Sequence, residues 1–145
     1  MKKRAEKGRM YRFFFMVVLT AALLYGCGSS QKLSEKFDAE EVKKAAEEVI
    51  GLVNEGDFDT LAEEKWNTIM QTSLDADTMA AQVEPVVEEL GEFQSFDKEA
   101  VVGETDKETE QEFAVAVIRV QYEKRKAQYT ISFDEDMKVG GFYIK

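Results

Sequence analysis

The chain has 145 residues and a formal net charge of −10, with 44% hydrophobic and 33% charged residues, no histidine and one cysteine. That length holds one domain of ordinary size beyond any leader, and the lack of histidine removes both the imidazole general base and the commonest metal ligand. One cysteine excludes an intrachain disulfide, so stability must come from the core.

Lys2, Lys3, Arg4, Lys7, Arg9 and Arg12 precede an uncharged run from Phe13 to Leu24 that ends in small residues, which is the organisation of a secretory signal. As a helix this run spans ~18 Å, well short of the ~30 Å hydrocarbon core, so a lasting transmembrane span is not expected. The junction Leu24-Tyr25-Gly26-Cys27 resembles the bacterial lipobox, with Tyr25 as its imperfect position. The resemblance implies a Cys27 diacylated on sulfur and a mature chain that starts there. An ordinary secretory signal beside an incidental cysteine, or an uncleaved anchor, is the alternative. Two acyl chains at ~0.8 kcal/mol per buried methylene hold stably, whereas one does not. Residues 1–26 therefore read as a signal peptide of net charge +5, which leaves −15 on the remainder. That balance argues against nucleic acid as a partner and leaves membrane attachment to the lipid. The expected location is the extracytoplasmic face of the bacterial cell membrane.

Residues 27–36 read as a lipidated, flexible tether, small and polar from Gly28 to Lys36, with a reach of ~17 Å. Residues 37–145 read as a single α+β domain. Asp38 caps a first helix, Glu41 lies three positions on, and Phe37 with Val42 forms a hydrophobic staple. The apolar stripe of this helix is Val42, Ala45, Ala46, Val49 and Val53, and Gly56 suits its C-cap. Asp57 opens a second helical pattern that buries Phe58, Leu61, Ala62, Trp66, Ile69 and Met70. A third, capped by Asp75, turns Met79, Val83, Val86, Val87 and Leu90 inward and ends at Gly91. Pro85 is expected to kink or locally break it, because it removes one hydrogen bond and crowds the carbonyl of Ala81.

Beyond Gly91 the period changes to alternation. Phe93 to Gly103 is a weakly patterned strand and Glu104 to Glu112 an acidic hairpin loop. The strand from Phe113 to Glu123 is the clearest, with Ala114, Ala116, Ile118, Val120 and Tyr122 on one face. Opposing Tyr122 to Ala127 sets Val120, Ile118 and Ala116 against Tyr129, Ile131 and Phe133. A second turn that pairs Glu135 with Lys138 sets Ile131 against Phe142 and Tyr129 against Ile144. The fold class is then three N-terminal helices packed on one face of an antiparallel sheet of about four strands.

Asn54-Glu55-Gly56-Asp57-Phe58, Glu89-Leu90-Gly91-Glu92-Phe93, and Phe133-Asp134-Glu135-Asp136 followed by Val139-Gly140-Gly141-Phe142 resemble the bacterial family catalogued as domain of unknown function 3887. The resemblance covers about Phe37 to Lys145, and Met137 stands where the turn glycine is expected. It implies a curved, cystatin-like cone of the nuclear transport factor 2-like superfamily, often found as single-domain lipoproteins. It brings no catalytic residues.

No nucleophile elbow, phosphate loop or dinucleotide fingerprint is present, and no cofactor or metal is expected. Asp57 with Asp59, and Asp75 with Asp77, stand at helix starts, where capping outweighs metal binding. Asp134 and Asp136 resemble the opening of a calcium loop, but Lys138 occupies the place of a third oxygen ligand. Tyr122 is the candidate ligand contact at the end of the inward face. Trp66 is the second, although a core role outweighs it, as it does for Tyr122. The opposite face of the central strand bears Phe113, Val115 and Val117, an interaction patch that needs a cover from the chain's first strand, a second copy or an envelope protein. The leading expectation is a membrane-tethered, non-catalytic binding or interaction module. An isomerase- or dehydratase-type enzyme with a pocket in the cone is the alternative.

Overall fold

Four acid or amide side chains set the helix starts. The computed structural model describes residues 31–145, so the expected signal peptide (1–26) and Cys27 lie outside the described residues. Asp38 Oδ1 accepts the amides of Glu40 and Glu41 at 2.9 and 3.1 Å, opening α1 (Ala39–Glu55), which Gly56 closes by donating to the carbonyls of Leu52 and Val53. Asp57 starts α2 (Phe58–Thr60), which runs on as a π-helical turn over Leu61–Lys65. Asn67 caps α3 (Thr68–Ser73), and Asp75 caps α4 (Ala76–Leu90). Each cap satisfies an amide that the first helical turn leaves without a partner.

The expected second helix is therefore broken. Trp66 takes an extended conformation, φ −69° and ψ 143°, and pairs with Val139 of β4 (Val139–Ile144) as a short parallel bridge, with the Asn67 amide donating to the Val139 carbonyl at 2.9 Å. Sheet pairing thus takes over from helix at that residue. Ile69, expected inside, is 70% exposed. Pro85 does not break α4. Pro85 and Ala81 both lie on the exposed face, where water can satisfy the carbonyl that loses its amide. Among the described residues no helix is long and apolar enough to cross a membrane.

The remaining strands are β1 (Phe93–Thr105), β2 (Glu112–Tyr122) and β3 (Lys126–Phe133). They form with β4 one antiparallel sheet in the order β1-β2-β3-β4, so helices precede the sheet in an α+β arrangement. The β3–β4 register is the expected one from Tyr129 opposite Ile144 through Ile131 opposite Phe142. A bulge after Ser132 then sets Phe133 opposite Val139, so the turn pairs Asp134 rather than Glu135 with Lys138, the Asp134 amide donating to the Lys138 carbonyl at 2.8 Å. The β2–β3 register is two residues from expectation: Ala116 faces Ile131, Ile118 faces Tyr129 and Val120 faces Ala127. A shift of two keeps every side chain on its face, since alternation has period two. The tighter turn is held from outside the hairpin, with the amides of Glu123 and Lys124 donating to the carbonyls of Glu92 and Leu90 at 2.8 and 2.9 Å. The helices do not all lie on the sheet. α1 packs on β1, β2 and β3, α3 lies against β4, and α4 packs mainly on α1 and α2.

The compact unit begins at Lys32, earlier than the expected domain start at residue 37. Gly103 leaves room for this entry, since a Cβ there would collide with the backbone of Lys32 and Leu33. Ser34 donates to Glu112 Oε2 at 2.9 Å, and Lys36 reaches Glu112 and Glu135, both at 3.2 Å. These bonds hold the Glu112 carboxyl below the usual carboxylate range, Ser34 contributing most. Residues 32–36 are thus strapped to one end of the sheet. Gly103→Ala is expected to lift this strap, speed amide exchange at residues 33–37, and cost about 1–3 kcal/mol in urea unfolding.

Candidate functional site

The inward face of the sheet is occupied by its own side chains. Ile118, Tyr122, Tyr129, Ile131 and Phe133 have at most 1% of their surface exposed. An aromatic file crosses this face. Trp66 packs on Phe142 at 6.1 Å between ring centroids, Phe142 on Tyr129 at 5.8 Å, and Tyr122 on Phe93 at 6.1 Å. Tyr129 and Tyr122 are joined through their hydroxyls, 2.6 Å apart.

The proton inventory fixes the direction of that join. Tyr122 donates its one hydrogen to Asn54 Oδ1 at 2.6 Å, so Tyr129 must be the donor to Tyr122. Burial pushes the pKa of both phenols up, and the bond Tyr129 donates raises its own value further while it lowers that of Tyr122. Both hydroxyl hydrogens are spent inside the protein. Neither phenol ionises near neutral pH, and neither points a hydrogen at open space.

Open space lies at the end of the file. A cleft of about 670 Å³ is lined by Asn54 of α1, Val87 and Glu88 of α4, Gly91, Glu92, Phe93 of β1, and the β2–β3 turn residues Glu123 and Lys124. This exceeds the ~300 Å³ at which ligand sites begin. Gly91 sits at φ 85° and ψ −157°, a region open essentially only to glycine, and a Cβ there would meet Glu123 Oε1 at 2.8 Å. Glu123 Oε1 in turn accepts the Glu92 amide at 3.3 Å. Phe93 keeps 38% of its surface exposed at the cleft.

The sequence candidates are placed as follows. Tyr122 is fully buried and reaches the cleft only indirectly, by its ring against Phe93 and by its hydroxyl through Asn54, a residue that strand and helix patterns did not single out. The Asn54-Glu55-Gly56 helix end was its one sequence signal. Trp66 is 2% exposed and does not line the cleft, and its Nε1 is buried without a hydrogen-bond partner. Phe113, Val115 and Val117 share the outer face. β1 pairs along the edge of β2 and adds Val102 beside Val115, widening this face rather than covering it. Phe113, Val117 and Val102 are half-buried and Val115 is buried. Asp57 and Asp75 act as caps, and Asp134 Oδ1 accepts the amides of Asp136 and Lys138 at 2.9 and 3.0 Å, which closes the β3–β4 turn.

One carboxyl stands apart from the cleft. Glu99 faces inward beside Ile118, and its Oε2 is buried with no hydrogen-bond partner. Its pKa is pushed up to about 7 by burial first, then by hydrogen bonding to and repulsion from Glu47 of α1. Lys43 opposes this rise and Glu40 adds to it. Among the described residues no group of His, Cys, Asp or Glu side chains is arranged to hold a metal ion.

A protein-family model described as "Protein of unknown function (DUF3887)" matches residues 46–142. Among solved structures, the NMR structure of a protein from Ruminococcus gnavus ATCC 29149 is similar to this chain, with a TM-score of 0.69 and 27% identity over 78% of this chain and 96% of that one. No curated protein matches.

Two measurements test this arrangement. Tyr122→Phe leaves the buried Tyr129 hydroxyl without an acceptor and is expected to cost ~1–3 kcal/mol in urea unfolding. Tyr129→Phe leaves the Tyr122 donor bond intact and should cost less, whereas the reverse order would contradict the proton direction. Glu99 holds its proton in the folded state up to about pH 7, whereas an unfolded glutamate releases it near ~4.3. Its contribution to stability is therefore complete below the unfolded value and is lost as pH rises through about 7. Glu99→Gln should flatten that part of the stability profile and leave the variant more stable than wild type at pH ~8.

Proposed function

The chain belongs to the DUF3887 family, and we propose that it works as a lipid-anchored, extracytoplasmic, non-catalytic binding module. The location rests on the basic leader and the Leu24-Tyr25-Gly26-Cys27 junction, which together mark Cys27 for the diacylation that stable anchoring needs. The non-catalytic half is carried by one observation: the hydroxyl chain Tyr129 to Tyr122 to Asn54 ends inside the protein, so the aromatic interior offers no proton donor to a substrate. A cone of the nuclear transport factor 2-like kind, filled by its own side chains, fits this reading. The open ground is the cleft at the strand ends, where Phe93 and Asn54 meet solvent.

Enzyme chemistry of the isomerase or dehydratase type is the second reading, favoured by Glu99, whose pKa near 7 suits a general base. Glu99 does not line the cleft, so base and open ground are separate, which weighs against catalysis.

The decisive experiment is cell fractionation with mass analysis of the mature chain. The wild type is expected in the membrane fraction, beginning at Cys27 and carrying lipid mass, while Cys27→Ala is released or left unprocessed. A native mature chain that starts elsewhere and carries no lipid would overturn the anchoring.

A further inference from the structure

The cleft between Asn54, Gly91, Phe93 and Glu123 has a sign as well as a shape. Two long helices, α1 and α4, both end at it, since Asn54 lies in the last turn of one and Val87 and Glu88 in the last turn of the other. Neither has a basic residue in its last turn. Each helix C-terminus carries about half a negative charge, and here the two fall together, with backbone amides capping the carbonyls of Leu52, Val53, Val87 and Leu90 but no basic side chain in either last turn. The rim adds the carboxylates of Glu88, Glu92 and Glu123 against Lys124 alone, which forms none of the ion pairs among the described residues. Backbone dipoles and side-chain charges, two independent sources, thus favour a cation.

The walls state what kind of cation. Phe93 is one of two large apolar side chains left exposed among the described residues, and its neighbours Phe96, at 5.0 Å, and Tyr122 hold its ring in edge-on contacts. A partly exposed aromatic ring held in place binds a charged group that carries apolar or planar surface better than it binds a bare ion. Val87 supplies further apolar wall, and Gly91 leaves bare backbone. The Asn54 amide nitrogen, whose carbonyl partner is occupied by Tyr122, is free to donate to a neighbouring carbonyl. Charged head, short apolar stem and adjacent peptide carbonyl together describe a basic side chain on an extended protein segment.

The position fits a protein partner. The chain enters the domain at Lys32, against Gly103 and Glu112, whereas the cleft lies at the other end of the same strands, about ten residues or ~30 Å along β1. Attachment through the residues that precede Lys32 leaves the cleft at the end remote from the tether.

Resting on the binding-module reading above, we propose that this cleft docks an arginine or lysine side chain presented by an extended segment of a partner protein. The test is an NMR titration of the full chain in detergent micelles. The probe is an acetylated, amidated peptide with one arginine among glycines and serines, compared with the same peptide carrying citrulline and with tetramethylammonium. The arginine peptide is expected to shift Gly91, Phe93 and the Asn54 side-chain amide saturably, and more weakly at high salt. Phe93→Ala should weaken binding roughly two- to five-fold. Glu88→Gln, on the exposed surface of α4 where folding is not at stake, should weaken it and reduce the salt dependence. Equal binding of the citrulline peptide, shifts confined to other residues, or no shift would overturn the cation site. Tetramethylammonium binding as tightly as the arginine peptide would overturn the protein segment as its occupant. None of these outcomes moves the membrane fractionation of Cys27→Ala, so the docking site and the anchor fail or stand separately.

Discussion

The inward face of β2 and β3 sets the terms for the rest of the domain. Ala116, Ile118, Val120, Tyr129 and Ile131 retain no exposed surface. At about 25 cal/mol per Å² of apolar area, leaving such a face wet would exceed the whole stability margin of a domain this size. α1 lies across it and α4 packs behind α1, and both are capped by aspartates that make their starts independent of the sheet. The helices cover the sheet, and the sheet in turn gives the α1 stripe of Val42, Ala46, Val49 and Val53 somewhere to go.

Covering that face with large aromatic side chains has a chemical consequence. Tyr122 and Tyr129 bring two polar atoms into the interior, and an unpaired buried hydroxyl is costly, so they bond to each other and to Asn54. The solution satisfies both hydroxyls and spends both of their hydrogens inside the protein. What the fold leaves open is displaced to the strand ends. At one end the chain enters and is held by Ser34 and Lys36. At the other, two helix ends, a two-residue turn and the first residues of β1 enclose the cleft.

The acidic balance follows the same division. Asp38, Asp57 and Asp75 spend their charge on helix amides, Asp134 on a turn, and Glu112 on the entry strap. Glu99 is the exception, a carboxyl held under α1 against Glu47 with one oxygen unpartnered. Asp75 and Glu112, whose carboxyls these bonds hold below the usual carboxylate range, favour the fold once ionised, whereas Glu99 favours it while protonated.

Whatever depended on neighbours in sequence could be read from the sequence: the caps at Asp38 and Asp75, the Gly56 helix end, the change of period after Gly91, and the faces of β2, β3 and β4. The place of the Asp134 turn was legible too, with the need for a left-handed residue at position 137, although the bulge that pairs Asp134 rather than Glu135 with Lys138 was not. Met137 does adopt a left-handed φ of 59°, and its side chain packs against the core, a contact that offsets what glycine would have relieved. Tertiary structure decided matters in which two distant segments compete for one backbone group. Trp66 left the helical pattern because the edge of β4 offered sheet pairing. The β2–β3 hairpin tightened by two residues because Leu90 and Glu92 held its turn, and alternation alone cannot distinguish registers that differ by two. The cleft belongs to this second class. Asn54, Gly91, Phe93 and Glu123 each have an ordinary local reason to be where they are, and only the packing of α1 and α4 on a sheet of this length brings them to one end.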